Sequence, residues 1–106
     1  MGMGLDGHTA SWFPNSNGLI SALDPKNKRS VVAVDATGCK VAGEHTDRIS
    51  LTYSSVIQSR NIMLLIPGEE KAKVFQSSIK NTQSNAPVKA LLSASDRLTV
   101  ITCESN

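Results

Sequence analysis

The sequence predicts an α/β fold, a partial open and mostly parallel sheet flanked by helices, in one domain spanning residues 1–106. Strand-like and helix-like segments alternate along the chain, which favours parallel strands joined by helices. Residues 61–66 (NIMLLI) are apolar apart from Asn61 and end at Pro67, as a central strand of such a sheet does. A chain of 106 residues has room for one small core.

The first half of the chain contains two predicted strands. Residues 16–24 have a short helical pattern that ends before Pro25, because proline cannot continue a helix. The β-branched run at residues 30–35 (SVVAVD) predicts a buried strand, and residues 36–47 are expected to form a loop. Residues 48–53 (RISLTY) alternate and predict the second strand. Its two predicted faces are Ile49, Leu51 and Tyr53 on one side, and Arg48, Ser50 and Thr52 on the other.

The second half begins with a short predicted helix at residues 54–60 and continues, after the apolar strand, with a longer helix at residues 69–80. Two glutamates at the start of the longer helix lie at the positive end of its dipole. A helical turn at residues 88–92 and a last strand at residues 98–103 follow. The side chains of the longer helix expected to face the core, at helical spacing, are Ala72, Phe75 and Ile79.

The composition excludes several classes of function. Hydrophobic residues make up 40% and charged residues 19%, as in globular proteins, and a net charge of +2 is too small to predict nucleic acid or a membrane as a partner. Aromatic residues, at 4%, are too few for a base-stacking surface, and no apolar run approaches the ~18 residues of a membrane helix. Cys39 and Cys103 lack the spacing of metal ligands, and no secretion leader is recognisable, so we expect a cytoplasmic protein without a metal.

The amino-terminal segment is dense in glycine and polar residues. Residues 1–8 (MGMGLDGH) have the character of a loop that leaves the carboxyl end of a strand, which is where ligands bind in open α/β sheets. No strand precedes them in this sequence, so the chain is expected to begin in the middle of an architecture.

Three ordered segments resemble the 6-phosphogluconolactonase family. Residues 4–14 (GLDGHTASWFP) closely resemble its signature G-x-D-G-H-T-A-S-L-F-P, with Trp12 where the family has leucine. Residues 48–52 (RISLT) are similar to its R-I-T-L-T strand, and residues 65–72 (LIPGEEKA) to its apolar strand running into G-x-x-K-A. The resemblance implies the carboxyl-terminal part of a NagB/RpiA-like modified Rossmann fold, because the longer family members carry a glycine- and serine-rich phosphate-binding turn that has no counterpart here.

The resemblance implies hydrolysis of 6-phospho-D-glucono-1,5-lactone to 6-phosphogluconate in the oxidative pentose phosphate pathway, without a cofactor. An imidazole is the side chain best suited to activate water near neutral pH, so His8 is the predicted general base. Asp6 would orient His8 or contact a sugar hydroxyl, and Gly4 and Gly7 would let backbone N–H groups approach the substrate. The family's phosphate-proximal arginine and lysine correspond to Arg48, on the polar face of its strand, and Lys71, in the first turn of its helix.

Each residue also has an ordinary structural interpretation: His8 and Asp6 as turn residues, and Arg48 and Lys71 as surface charges. Three other functions remain open, namely a non-catalytic phosphosugar-binding remnant, one subunit of a split enzyme, and a relative of the glucosamine-6-phosphate deaminases. The expected partners are a phosphosugar lactone, and a chain supplying the missing amino-terminal half or a second copy. A central apolar strand without a neighbour on one side predicts an aggregation-prone, oligomeric or marginally stable chain.

Overall fold

The computed structural model describes residues 1–104, so the last two residues of the predicted domain lie outside it. Strands β3 (Ile62–Pro67) and β4 (Leu98–Cys103) pair in parallel, and β1 (Val31–Asp35) and β2 (Asp47–Leu51) pair antiparallel in a separate sheet. The α/β class with parallel strands and flanking helices is confirmed. The antiparallel pair differs from the expected mostly parallel arrangement, because the short connection between β1 and β2 cannot hold the crossover helix that parallel strands require.

The described part of the chain contains three α-helices and two 3₁₀ helices besides its strands. Helix α3 has the predicted bounds, whereas α1 is shorter than predicted because Gly18, at φ 101°, lies outside helical geometry and Asn17 pairs with Asp35. The α-helices are α1 (Leu19–Leu23), α2 (Tyr53–Ile57) and α3 (Glu69–Lys80). The 3₁₀ helices are Lys40–Ala42 and Pro87–Ala94.

The main core lies against one face of the β3–β4 sheet. Side chains alternate along β3, so Ile62, Leu64 and Ile66 are buried while Met63 and Leu65 on the other face are about half exposed. The buried side chains pack with Trp12, with Phe75 of α3 and with the 3₁₀ helix Pro87–Ala94. The predicted central strand is therefore buried on one face only.

The two predicted faces of β2 are buried in the reverse of the order that hydrophobicity alone would suggest. The apolar side chains of Ile49 and Leu51 are 77% and 50% exposed, whereas the polar side chains of Ser50 and Thr52 are 4% and 0% exposed. The Thr52 hydroxyl donates to the carbonyl of Arg29 at 2.7 Å and accepts the N–H of Ser55, which caps α2. These hydrogen bonds make the inward polar positions favourable, and Tyr53, predicted on the strand, begins α2 instead.

Two further expectations about burial were wrong. Strand β1 is mostly exposed, with Val34 buried and Val31 48% exposed, because the hairpin it forms with β2 is covered on one face only. On α3, Ile79 is exposed and Ser78 is buried, where its hydroxyl donates to the carbonyl of Val74. Within residues 1–104 no helix has the length and apolar character needed to cross a membrane.

Candidate active site

The glycine-rich loop leaves the sheet at its carboxyl edge. The Leu65 N–H donates to the Met1 carbonyl at 2.8 Å, and Gly2 forms an isolated parallel bridge with Leu65. The first two residues thus run beside β3, which sends the following loop toward the carboxyl ends of β3 and β4. That edge is the usual ligand-binding edge of an open α/β sheet.

Two side chains of the loop fasten it to the rest of the molecule. The Thr9 hydroxyl donates to the Gly2 carbonyl at 2.6 Å, and the indole N–H of Trp12 donates to the Leu51 carbonyl at 2.8 Å. Both side chains are fully buried. Trp12 therefore does more than keep an apolar side chain at this position, because its ring nitrogen ties the loop to the end of β2.

Asp6 and His8 form a hydrogen-bonded pair at the turn of the loop. The Oδ1 atom of Asp6 lies 2.5 Å from Nδ1 of His8 and also accepts the backbone N–H of His8 at 3.1 Å. Because a carboxylate only accepts hydrogen bonds, this contact assigns the imidazole proton to Nδ1. The other ring nitrogen, Nε2, has no protein partner among residues 1–104.

The two glycines of the turn serve the histidine in different ways. A Cβ atom on Gly4 would lie 2.2 Å from Cε1 and 2.4 Å from Nδ1 of His8, so only glycine leaves room for the ring. Gly7 has φ +83°, a conformation that side chains disfavour, and its carbonyl accepts the N–H of Val88. The N–H groups of Gly4 and Gly7 donate hydrogen bonds within the loop, to the carbonyls of His8 and Gly4 respectively. They are therefore not directed toward a substrate, contrary to the expectation from the sequence.

His8 and Lys71 line the same cleft, which has a volume of about 570 Å³. Lys71 lies in the first turn of α3, and Gly68, the residue before this helix, provides no side-chain cap for its N–H groups. The other lining residues are Gly2, Met3, Gly4, Leu5, Ala10 and Val41. The cleft thus combines an unpartnered imidazole nitrogen with a cation at the amino end of a helix, a position that favours anions.

Arg48 does not line this cleft. Its Nε donates to the carbonyl of His45 at 2.5 Å and its Nη2 to the carbonyl of Ala42 at 3.4 Å, while Cζ lies 5.3 Å from the ring centroid of Phe13. Arg48 lines a separate depression that also includes Asn17. The structure therefore brings Asp6, His8, Gly4 and Lys71 together and leaves Arg48 outside that group.

Two residues of the site region were not singled out by the sequence. Phe13, noted only as part of the signature, lies with its ring centroid 4.4 Å from that of His8 at an interplanar angle of 34°. Val41, in the region expected to be a featureless loop, lines the cleft from the 3₁₀ helix Lys40–Ala42. The one available signal was the position of Phe13, five residues after His8 within the signature. Nothing in the local sequence around Val41 indicated its position.

Together, the fold and this loop define an α/β protein with a histidine-centred candidate site at the carboxyl edge of its parallel strands. A family model described as glucosamine-6-phosphate isomerases/6-phosphogluconolactonase matches residues 1–100. The chain belongs to this family.

Individual relatives agree with this assignment. A 6-phosphogluconolactonase of Rhizobium meliloti (strain 1021) is 39% identical over 93 residues, which are 87% of this chain and 38% of that protein. One from Mesorhizobium japonicum is 38% identical over 97 residues, or 92% of this chain and 38% of its own length. The crystal structure of a 6-phosphogluconolactonase from Shewanella baltica OS155 superposes with a TM-score of 0.78 at 34% identity, covering 99% of this chain and 42% of that one.

These alignments also define what the chain lacks relative to the proteins it matches. It spans less than half the length of each of these relatives. The larger part of a full-length lactonase therefore has no counterpart among these 106 residues. This agrees with the resemblance to a carboxyl-terminal part of the family.

Proposed function

We propose that the chain carries the base-bearing part of a 6-phosphogluconolactonase site and takes part in hydrolysis of 6-phospho-D-glucono-1,5-lactone to 6-phosphogluconate. The observation that carries the proposal is the hydrogen bond between Asp6 and Nδ1 of His8, which leaves Nε2 of His8 without a protein partner in the described part of the chain. The side chain of His8 lines the same cleft as Lys71. We place this reaction in the cytoplasm, as a step of the oxidative pentose phosphate pathway.

The proposed mechanism uses His8 as a general base. Nε2 accepts a proton from a water molecule as its oxygen attacks the lactone carbonyl, and the tetrahedral intermediate then expels the ring oxygen. The imidazolium returns its proton to that oxygen, so water and lactone give the open-chain acid. Asp6 keeps the proton on Nδ1 and stabilises the imidazolium that forms transiently, as an orienting carboxylate does for a histidine base.

Lys71 is proposed to hold the substrate phosphate. An ammonium group in the first turn of α3 adds its charge to helix N–H groups that have no side-chain cap. Glu69 and Glu70 precede Lys71 in the same turn, and all three border a second depression. The phosphate is therefore expected to lie on the His8 side of Lys71, away from these carboxylates.

The remaining wall of the site is proposed to come from other polypeptide of the lactonase fold. Met63, Leu65 and Ile101 are 40–52% exposed and share the outer face of the β3–β4 sheet. Met1 and Gly2 lie along the other edge of β3, and the structure of residues 1–104 places no full strand there. More than half of the matched Shewanella baltica structure has no counterpart in this chain, and the corresponding polypeptide is proposed to cover this face. A second copy of this chain is the alternative occupant, and a measured mass distinguishes the two.

The test of catalysis measures acid release from the lactone, with spontaneous ring opening subtracted. The chain is assayed alone and together with the unmatched amino-terminal part of a relative. His8→Ala is expected to reduce the catalysed rate about 10²–10⁴-fold, the usual contribution of a general base. The matched control is His45→Ala, because His45 is an exposed loop histidine outside the cleft.

Binding of 6-phosphogluconate, followed by NMR, tests the site independently of turnover. Lys71→Gln is expected to weaken binding about tenfold or more, whereas Lys73→Gln, two residues further along α3, is not. Binding without hydrolysis would support the phosphosugar-binding alternative, and ammonia release from glucosamine 6-phosphate would indicate a deaminase. The proposal fails if lactone turnover is unaffected by His8→Ala, or if the product perturbs neither His8 nor Lys71.

A further inference from the structure

We propose that Phe13 and Arg48 are positioning residues for His8, and that Arg48 acts through the ring of Phe13 and not on the substrate phosphate. The ring of Phe13 contacts both the imidazole of His8 and the guanidinium of Arg48. The inference rests on the proposed function to the extent that His8 is the base. It differs from the sequence-based prediction, which assigned Arg48 to the phosphate.

The contact between His8 and Phe13 restricts the imidazole. The two ring centroids are 4.4 Å apart and the planes are inclined by 34°, so the rings are tilted and in close contact. Phe13 is only 1% exposed and packs with Val34, Ala36 and Ala42 in a second buried cluster. This packing limits the movement of the Phe13 ring from one side, so the ring presents a surface against which the imidazole rests.

The imidazole is held from three directions. Asp6 hydrogen-bonds to its Nδ1, and Phe13 lies against its ring. On a third side the ring lies so close to the backbone of Gly4 that a Cβ atom on Gly4 would collide with it. A hydrogen bond alone permits rotation of the ring about the bonded atom, whereas a packed aromatic surface opposes that rotation. Together they leave Nε2 a single direction, which is the condition for an effective general base.

Arg48 fixes Phe13 from strand β2. Its guanidinium carbon lies 5.3 Å from the Phe13 centroid, within cation–π distance, and its nitrogens donate to the carbonyls of His45 and Ala42. These carbonyls belong to the loop that contains the 3₁₀ helix Lys40–Ala42, so Arg48 joins that loop to the aromatic ring. Turning toward the cleft would break all three contacts at once.

Proton and nitrogen NMR of the 106-residue chain provides the test. Long-range ¹H–¹⁵N correlations report which imidazole nitrogen carries the proton, and the ring-current shift of the His8 Cε1 proton reports its stacking on Phe13. In the wild-type chain we expect the Nδ1–H form and a measurable ring-current shift. Arg48→Gln keeps the Phe13 side chain but removes the guanidinium that holds its ring. In this variant we expect the ring-current shift to decrease and the tautomer signals to average.

Two pairs of variants separate positioning from general stability. Arg97 also donates to two backbone carbonyls, those of Ile57 and Ser59, but contacts no ring of the site, so Arg97→Gln is expected to leave the His8 signals unchanged. Phe13→Leu is expected to lose the single tautomer, and Phe13→Tyr to restore it because the aromatic face returns. Should Arg48→Gln or Phe13→Leu unfold, Arg48→Lys and Phe13→Tyr provide the comparison, with Arg48→Lys expected to show the same loss of stacking.

The two assignments of Arg48 predict different effects on ligand affinity. A phosphate-binding Arg48 requires that Arg48→Gln weaken 6-phosphogluconate binding about tenfold or more, whereas a positioning role leaves this affinity within about twofold. Folded Arg48 variants with unaltered His8 signals, or a large loss of affinity, would overturn the inference. A wild-type His8 protonated on Nε2 would instead contradict the proposed function itself, so the two failures are distinguishable.

Discussion

Gly4 shows how a missing side chain sets the position of the candidate base. The His8 ring occupies the space that a Cβ on Gly4 would need, and Asp6 holds the ring there through Nδ1. Both contacts are made within five consecutive residues. The geometry of the base is therefore a property of the local chain, provided that Thr9 and Trp12 fasten the loop.

Gly4→Ala is expected to displace the imidazole without unfolding the chain. The added methyl group would lie 2.2 Å from Cε1, so the ring has to shift by about 1 Å, a displacement that can reduce catalysis about 10²-fold. Lactone hydrolysis and the His8 tautomer signals measure the effect. Gly2→Ala is the matched control, because nothing lies within 4 Å of its added Cβ. Equal rates for the two alanine variants would contradict the prediction.

At the scale of elements, strand β2 shows that the more hydrophobic face of a strand need not be the buried one. Its apolar positions face outward and its polar positions face inward, where Ser50 accepts the N–H of Ser11 at 3.1 Å. The inward hydroxyls thus supply partners for backbone groups that would otherwise be unsatisfied in the interior. Hydrogen bonding, and not apolar area, decides which face of this strand is covered.

On β2, replacing a polar side chain is expected to lower the free energy of unfolding more than replacing an apolar one, contrary to what hydrophobicity suggests. Ser50→Ala leaves the Ser11 N–H without its acceptor and should lower the free energy of unfolding by about 1–3 kcal/mol. Ile49→Thr, at a side chain that is 77% exposed, should change it by less than about 0.5 kcal/mol. Denaturant unfolding of both variants measures the difference. A greater loss from Ile49→Thr would mean that the apolar face is covered in solution.

The end of β1 has a predicted pH dependence. Hydrogen bonds from the side chain and backbone of Thr37 lower the pKa of Asp35 below its ordinary value of 3.8. A lowered pKa in the folded state stabilises the fold at pH values above 3.8, and this contribution is lost as the pH falls through the folded-state pKa. Thr37→Val should therefore raise the pKa of Asp35 and reduce stability near neutral pH but not in strong acid.

Carboxyl NMR titration and unfolding at both extremes of pH check this expectation for Asp35. Thr99→Val is the control, since Thr99 is an exposed strand threonine without a carboxylate partner. An equal loss of stability for Thr37→Val at all pH values would indicate a packing effect and contradict the electrostatic explanation.

At the scale of the whole molecule, two sheets each expose one apolar face. The outer face of β3–β4 also adjoins an edge of β3 that, among residues 1–104, is paired by the short segment Met1 and Gly2 and not by a full strand, so it offers backbone hydrogen bonds as well as apolar surface. The face of the β1–β2 hairpin offers Val31 and Leu51 as directly opposed exposed side chains. We expect the 106-residue chain to self-associate, chiefly through the β3–β4 face.

Sedimentation velocity over a range of concentrations tests this expectation. The double variant Met63→Gln/Leu65→Gln should shift the chain toward monomer, with little loss of stability because both side chains are about half exposed. Val31→Thr/Leu51→Thr removes comparable apolar surface from the hairpin and should reduce association less. A wild-type chain that is monomeric at all concentrations and melts cooperatively would contradict the prediction.

The sequence by itself determined the features that depend on near neighbours in the chain. The periodicity of residues 69–80 predicted the bounds of α3. The signature offered two roles for Asp6, contact with His8 or with a sugar hydroxyl, and the hydrogen bond to His8 forms because two residues separated by one position meet through local geometry. The class of fold and the family followed from the same segments. These features require no knowledge of what packs against them.

Only the tertiary structure decided the features that depend on distant segments. The direction of Arg48 is set by the carbonyls of His45 and Ala42 and by Phe13, which no spacing rule connects. The same is true of Ile49, whose exposure reflects the lack of a covering element and not its own hydrophobicity. A strand pattern identifies two faces, but the neighbours that the fold supplies determine which of them is buried.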